Sequence, residues 1–514
     1  MKKVKKGEFK KKVDNLEGIK SDFITVASHQ LRTPISAVRW SLDILLSGKA
    51  GSLSEKQKEV AQEAYQNNKF MVKVVNDLLR VSRLEERGIK LAPKPVNLAK
   101  LTQKIIKKYQ KFAQACNCKI TLAGESGLPQ AYIDPLQTEV VINALIDNAV
   151  RYSKSKGKIK ISLKKTKGYL LFKIQDNGIG IPAKQQWLVF SKFFRGDNAM
   201  RAQTEGIGLD LYIAKKIIEA SAGKINFRST ENKGTTFDVY LPLSKNQLTD
   251  IGLAKKEEPE DILKKEREFV SITVHELKAP LGITKWSLEM LKGGKPGKLN
   301  KDQLELIGQV YRGNERLLVL VRDLLNLAKL QEGKFEIKPG PIQLEKIISD
   351  VISGFQVGIK RKKIKFQWKK NKRPLATVLA DSNRIAQVVT NLISNAVKYT
   401  PERGKVTISI QEKTGRQLKT ISDNLDTANL SYTNNKKGYL VLAIKDTGIG
   451  ISEDDQKKLF TRFFRSKKVL KSEAEGTGLG LYITKSIINL HKGDIWFASK
   501  PNEGSVFYFS LPIV

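Results

Sequence analysis

Residues 445–451 read KDTGIGI and residues 475–488 read EGTGLGLYITKSII: a strand-like run ends in one glycine turn, and a second glycine turn opens a helical pattern. Ahead of both lies a helical segment carrying NLISNAVKYT (391–400). A single GxG is weak evidence, because glycine serves any tight turn. Three signals in fixed order are stronger, and the order recurs in NALIDNAVRYS (143–153), QDNGIGI (175–181) and EGIGLDLYIAKKII (205–218). The alternation of strands and helices around them implies an α+β layered domain, present twice.

The repeat extends beyond these signals. His29 and His275 stand 246 positions apart, Asp134 and Asp381 stand 247 apart, and Asp176 and Asp446 stand 270 apart. The second copy is therefore longer by 23 residues. The extra length falls in the polar stretch EKTGRQLKTISDNLDTANLSYTNNKKG (412–438), which reads as a long surface loop. SKNQLTDIGLAKKEEPEDILKKE (244–266) joins the copies as a charged linker that turns helical near its end.

Each copy opens with two helical patterns. Ile24, Ser28, Leu31, Ile35, Val38, Leu42 and Leu45 recur at spacings of three and four, and Val270, Leu277, Leu281, Thr284, Leu288 and Leu291 repeat the stripe. GKAGSLSE (48–55) and GGKPGKLN (293–300) supply the turns, and VNDLLRVSRLEE (75–86) or VRDLLNLAKLQE (321–332) ends the second helix. A two-helix hairpin cannot bury its own seam, so each should pair with another hairpin in a four-helix bundle, either in a homodimer or as a pseudo-dimer within one chain. The fold class is thus multidomain α and α+β. The expected parts are a basic segment (1–19), a first hairpin (20–90), a first α/β lobe (91–244), a linker (245–261), a second hairpin (262–335) and a second lobe (336–514).

Around the histidines the copies read SHQLRTP (28–34) and VHELKAP (274–280). At about 100° per residue, His29 projects roughly 120° from the centre of its apolar stripe and faces solvent. Each histidine is followed five residues on by a helix-disturbing proline, Pro34 or Pro280. A lone surface histidine is usually inert; two displayed alike argue for a role. His491 has no partner in the first copy and is assigned none.

At 514 residues the chain should hold three or four domains, and 40% hydrophobic residues suffice for real cores. No apolar run reaches the roughly 18 residues of a membrane helix, and the basic start lacks the apolar stretch of a secretory signal, so the reading is of a soluble cytoplasmic chain. The only two cysteines, Cys116 and Cys118, are too few for a disulfide framework. A net charge of +40 raises nucleic-acid binding, but the lysines are dispersed and no base-reading motif occurs. Anionic nucleotides, acidic protein partners or proximity to a membrane surface account for it more simply.

The chemistry follows from the residue types. Glycines let backbone approach a phosphate, and the helix N-terminus behind them donates N–H groups. Asn395, and Asn148 in the first copy, offer an amide oxygen as a hard ligand for Mg2+. Asp446 at a strand end can accept from an adenine amino group, and Lys398 can neutralise phosphate.

These motifs resemble those of the sensor histidine kinases across almost the whole chain, twice. HELKAP looks like the phospho-acceptor box, NLISNAVKYT the Asn box, DTGIG and GTGLGL the glycine boxes, and FTRFFR (460–465) or FSKFFR (190–195) the phenylalanine box. The resemblance implies phosphotransfer hairpins followed by Bergerat-type ATP-binding sandwiches. It implies transfer of the ATP γ-phosphoryl to His275 or His29 with Mg2+, then to an aspartate of a response-regulator receiver domain. The nucleotide residues it implies are Asn391, Asn395, Lys398, Tyr399, Asp446, Gly448, Gly450, Gly476, Thr477, Gly478 and Gly480. In the first copy they are Asn148, Arg151, Asp176, Gly178, Gly180, Gly206 and Gly208.

The copies are unequal. Ala144 replaces Asn391, with Asn143 one residue away as a partial substitute; Ile207 replaces Thr477 and Asp210 replaces Gly480. An acid about 4 Å from a triphosphate costs on the order of 1–4 kcal/mol per charge pair, so the first copy should bind ATP weakly. Glu276 fits the general base that the resemblance implies, whereas Gln30 can only orient the ring, which slows transfer by about 10²–10⁴. Thr33 matches the position used to orient water for dephosphorylating the regulator, and Ala279 cannot do this. The expected outcome is a main kinase in copy two, with copy one an acceptor, phosphatase or regulator. The rival readings are a nucleotide-binding pseudokinase scaffold and another Bergerat ATPase.

Overall fold

The computed structural model describes residues 30–87, 89–125, 127–154, 156–202, 206–245, 259–331, 333–371, 373–423, 437–466 and 476–514. His29, the segment 1–19 and most of the linker 245–261 lie outside the described residues. The chain divides into two compact units, Met1–Leu318 and Val319–Val514. In chain order, the first hairpin is α1 (30–46) and α2 (Glu55–Arg87). The first lobe is β1 (Lys94–Val96), α3 (Leu98–Ala115), β2 (Cys118–Gly124), β3 (Ala131–Ile133), α4 (Pro135–Arg151), β4 (Gly157–Thr166), β5 (Tyr169–Gln175), α5 (Asp197–Ala202), α6 (Asp210–Ala220), β6 (Lys224–Thr230) and β7 (Gly234–Pro242). The second hairpin is α7 (Pro259–Lys292) and α8 (Lys301–Gln331). The second lobe is β8 (Gly340–Ile342), α9 (Leu344–Arg361), β9 (Lys365–Lys369), β10 (Val378–Ala380), α10 (Ser382–Tyr399), β11 (Lys405–Lys413), α11 (Gly415–Asp423), β12 (Tyr439–Asp446), α12 (Glu453–Gln456), α13 (Gly480–Leu490), β13 (Ile495–Lys500) and β14 (Gly504–Pro512).

In the first unit the apolar stripes do what their spacing predicts. Leu31, Ile35, Val38, Leu42 and Leu45 are buried, as are Leu277, Leu281, Thr284, Leu288 and Leu291. Ile24, Ser28 and the side chain of Val270 fall outside the described set. Both hairpins of the one chain share a core in which Val38, Leu42, Leu45, Ala61 and Ala64 meet Leu288, Leu291, Ile307 and Val310. Each fully buried aliphatic side chain of Val or Leu size contributes about 1.5–3 kcal/mol.

The polar contacts are reciprocal. Gln57 Nε2 donates to the Lys298 carbonyl at 3.1 Å, and Gln303, its counterpart, donates to the Ser52 carbonyl at 3.2 Å. Their Oε1 atoms accept from Ser54 N and Asn300 N, closing capping boxes on α2 and α8. Ser41 reaches Gln309, and Ser287 reaches Glu63, at matching positions. An isologous joint requires this exchange of equivalent contacts. The prolines do not break the helices, because α7 continues through Pro280. Pro280 only withholds an N–H from the Glu276 carbonyl.

The lobes share one topology. In the first, the strand order is β2-β4-β5-β7-β6 with β2 parallel to β4 and the other pairs antiparallel. The second has β9-β11-β12-β14-β13, again with one parallel pair. α3, α4 and α6, or α9, α10 and α13, form the helical layer, and β1–β3 or β8–β10 add a small ribbon. The insertion is not entirely loop. Part of it is α11, which seats Leu418 against Tyr439, Val441 and Trp496, while residues 424–436 lie outside the described set. Two apolar residues a turn apart, Leu418 and Ile421, were hidden by the polar composition around them. Among the described residues no helix is long and apolar enough to cross a membrane.

Candidate functional site

In the second unit, Asp381 caps α10, its Oδ1 accepting from Asn383 N and Arg384 N at 3.0 and 3.1 Å. That cap fixes where Asn391, Asn395 and Lys398 leave the helix, and all three are half-buried. Asn391 Nδ2 donates to Thr484 Oγ1 on α13 at 2.9 Å. A Cβ at position 480 would stand 2.5 Å from Asn391 Oδ1, so Asn391 and a side chain at 480 exclude one another.

Asp446 closes β12. Its Oδ1 accepts from Gly448 N at 2.8 Å and Ser505 N at 3.3 Å, and burial raises its pKa against those bonds. Gly450 (φ +63°) presses on the Lys500 carbonyl, and Gly478 (φ +69°) lies against the Phe463 backbone, where any Cβ would collide. Tyr399 meets the site through its carbonyl, beside Gly448.

Lys398 is held low, to about 8, first by burial and then by Arg465 and Lys362. Its Nζ stands 3.2 Å from where a Cβ on Gly476 would be. Lys362 caps the end of α10, donating to the carbonyls of Val397, Lys398 and Thr400. The charged groups acting on Lys398 are thus cations, an environment that favours an anion at the glycine turn.

The Thr477 hydroxyl donates to Asp323 Oδ2 on α8 at 2.9 Å, and burial pushes Asp323 up to about 6. Sequence reasoning missed this aspartate. The available signal was an acid repeated in both copies, Asp77 and Asp323, inside an otherwise apolar stripe.

In the first unit, Asp176 repeats the strand-end geometry, accepting from Gly178 N at 2.9 Å and Thr235 N at 3.1 Å. The phosphate end differs. Ala144 and Ala214 stand where Asn391 and Thr484 stand, leaving room for the Asp210 side chain. Asp210 Oδ2 pairs with Lys73 Nζ of α2 at 2.9 Å, and Arg151 pairs with Asp147 at 2.6 Å. The second copy has Gly480, Val319, Lys398 and Ser394, in that order, at these four positions. Burial and Asp210 push Asp77 up to about 7. Asn148, Gly180, Gly206 and Gly208 line an open cavity of about 140 Å³ that Phe70 and Lys73 help to wall. The expected stand-in, Asn143, is not part of that wall.

Of the remaining sequence candidates, Gln30 and Glu276 are half-buried and Thr33 is exposed. His275 lies in α7, and His29 is outside the described residues. His491 is structural: buried, it faces the Ile487 carbonyl through Nδ1 at 2.8 Å and accepts from Asp381 N through Nε2 at 3.0 Å. Among the described residues no cluster of three or more His, Cys, Asp or Glu could hold a metal ion. Asn395 and Asn148 suit Mg2+ only in company with ligand oxygens and water.

The family model of histidine kinase-, DNA gyrase B- and HSP90-like ATPases matches residues 133–245 and 380–514, and that of the His Kinase A phospho-acceptor domain matches 19–87 and 265–333. The chain belongs to the sensor histidine kinases. The chain carries both core domains twice. It is similar to the sensor histidine kinase WalK of Bacillus subtilis, at 34% identity over 50% of this chain and 38% of that protein. It is 30% identical to the signal transduction histidine-protein kinase BarA of Escherichia coli, over 52% of this chain and 26% of BarA. The adaptive-response sensory kinase SasA of Rippkaea orientalis is 31% identical over 48% of this chain and 57% of its own length. The chain thus spans from about a quarter to just over half the length of these relatives. Among solved structures, full-length ShkA in complex with AMPPNP is 25% identical over 48% of this chain and 46% of its own, with a TM-score of 0.37.

Proposed function

We propose that the second lobe binds ATP with Mg2+ and phosphorylates His275, and that the phosphoryl group passes to an aspartate of a response-regulator receiver domain. Lys398, set among cations beside the glycine turn, carries this reading. Asn395 with phosphate oxygens would hold the metal, and Asp446 would receive the base amino group. Catalysis then requires positioning and charge neutralisation, which a fixed cation and a glycine turn supply. Glu276, next to the acceptor, is the proposed base.

In the first copy Lys73 and Arg151 are paired to acids, which supports a regulatory or acceptor role for His29 and a scaffold role for its lobe. The working parts are hairpins 20–90 and 262–335 and lobes 91–244 and 336–514. The hairpin joint within one chain supports action as an intrachain pseudo-dimer.

The test is labelling of the full chain with γ-³²P ATP, scoring acid-labile phosphate in His275→Gln and His29→Gln. Loss of label with His275→Gln and its retention with His29→Gln are expected. Equal label in both would refute the division of labour, and no label in the parent would refute the kinase reading.

A further inference from the structure

We infer that the first-copy cavity is a site for an adenine nucleoside or a short-chain adenine nucleotide, such as adenosine, AMP or ADP, rather than for MgATP. This rests on reading both lobes as adenine-nucleotide folds and assigns the first one its ligand class. The base end is intact: Asp176 sits at the strand end with two backbone amides on Oδ1, as Asp446 does. The cavity is open and lined by Tyr152, Ile179, Phe194 and Phe237, apolar surface enough for a purine.

The phosphate end carries its own negative charge. Asp210 is the first residue of α6, an eleven-residue helix, and lines the cavity, so a carboxylate stands at a helix start that would otherwise favour an anion. Lys73, the cation facing that place from α2, is already bonded to it at 2.9 Å. Asp147 likewise holds Arg151, the counterpart of Lys398. The exchange is a fitted set. Ala144 and Ala214 clear the space that Asn391 and Thr484 fill in the other lobe, so Asp210 is accommodated and not merely tolerated. A third phosphate would meet a carboxylate with its counter-cation in use, whereas a nucleoside would meet neither.

The experiment uses the full chain carrying Asn395→Ala and Asp446→Ala, which silences the second lobe, and titrates adenosine, ADP and MgATP calorimetrically. Expected are measurable binding of adenosine and ADP, with MgATP no tighter than ADP. Asp210→Gly added to this chain should raise MgATP affinity at least about tenfold, since Lys73 is then released to phosphate, and leave adenosine within about twofold. The unchanged adenosine affinity reports an intact pocket, and the ranking in the chain that keeps Asp210 stands even if Asp210→Gly fails to fold. MgATP binding at least about tenfold tighter than adenosine while Asp210 is present, or no binding of any adenine compound, would overturn the inference. ATP binding by the unaltered chain that disappears with Asn395→Ala and Asp446→Ala keeps the kinase reading of the second lobe alive in either case.

Discussion

The two lobes have the same strands in the same order and the same aspartate at the same strand end, yet at the glycine turn they have exchanged one fitted group of side chains for another. In the second, Asn391, Gly480 and Thr484 interlock and leave Lys398 among cations. In the first, alanines stand at 144 and 214, and Asp210 pairs with Lys73 of the hairpin. Asp210 thus has a counter-ion and is not left as an orphaned charge, which is the basis of the ligand difference proposed above.

The largest expected effect comes from moving one element of the set alone. Gly480→Asp in the second lobe should lower ATP affinity by about 10- to 1,000-fold through charge alone, and more through the clash with Asn391. Adding Asn391→Ala and Thr484→Ala should restore the melting temperature but not the affinity. If the single substitution binds ATP normally, the two lobes do not differ for the reason given.

The two acids on the second helix of each hairpin, Asp77 and Asp323, give the next effect, on the order of 2 kcal/mol. Asp77, pushed up to about 7, and Asp323, pushed up to about 6, keep protons that the unfolded chain releases above about 4. Stability should therefore be fullest below pH 4 for these groups and decline as pH rises, through about 7 for Asp77 and about 6 for Asp323. Asp77→Asn should flatten more of that slope than Asp323→Asn in denaturant titrations run across this range. The reverse order would contradict the role of Asp210 beside Asp77.

Where the copies agree, substitutions should agree. Gln57→Ala removes a cap bond and a bond across the joint, Gln303→Ala removes a cap bond and an Nε2 donor shared between the Gly51 and Ser52 carbonyls, and each should cost about 1–2 kcal/mol, equal within about 0.5. Unequal losses in urea would show that the reciprocity is only geometric. The smallest effect is a pH limb. ATP bound beside Lys398 raises its pKa, so the lysine share of affinity is complete below about 8 and fades as pH rises above it, by up to about tenfold. Lys398→Arg should abolish the limb.

Much of this was legible in the sequence. The stripe from Leu31 to Leu45 and its repeat mark two hairpins, and an Asn-bearing helix followed by two glycine turns marks two lobes, because both are local patterns. The candidate site residues on single elements, Asn395 and Asp446, are picked out by motif order. What sequence could not reach were pairings over distance. Lys73 and Asp210 are 137 residues apart, and nothing in α2 alone distinguishes Lys73 from a solvated surface lysine. Asp323 was passed over for the same reason. α11 was read as loop because a nine-residue helix anchored by one buried leucine leaves almost no periodic trace.

The exchange between Gln57 and Gln303 carries a last consequence. A joint closed between two halves of one polypeptide forms at a fixed local concentration, so dilution cannot separate it. In a symmetric pair of identical chains every substitution appears on both sides at once; here it strikes one side only. Each half could thus be altered while its neighbour kept the joint together, which is the freedom that the proposed difference between the two lobes would require.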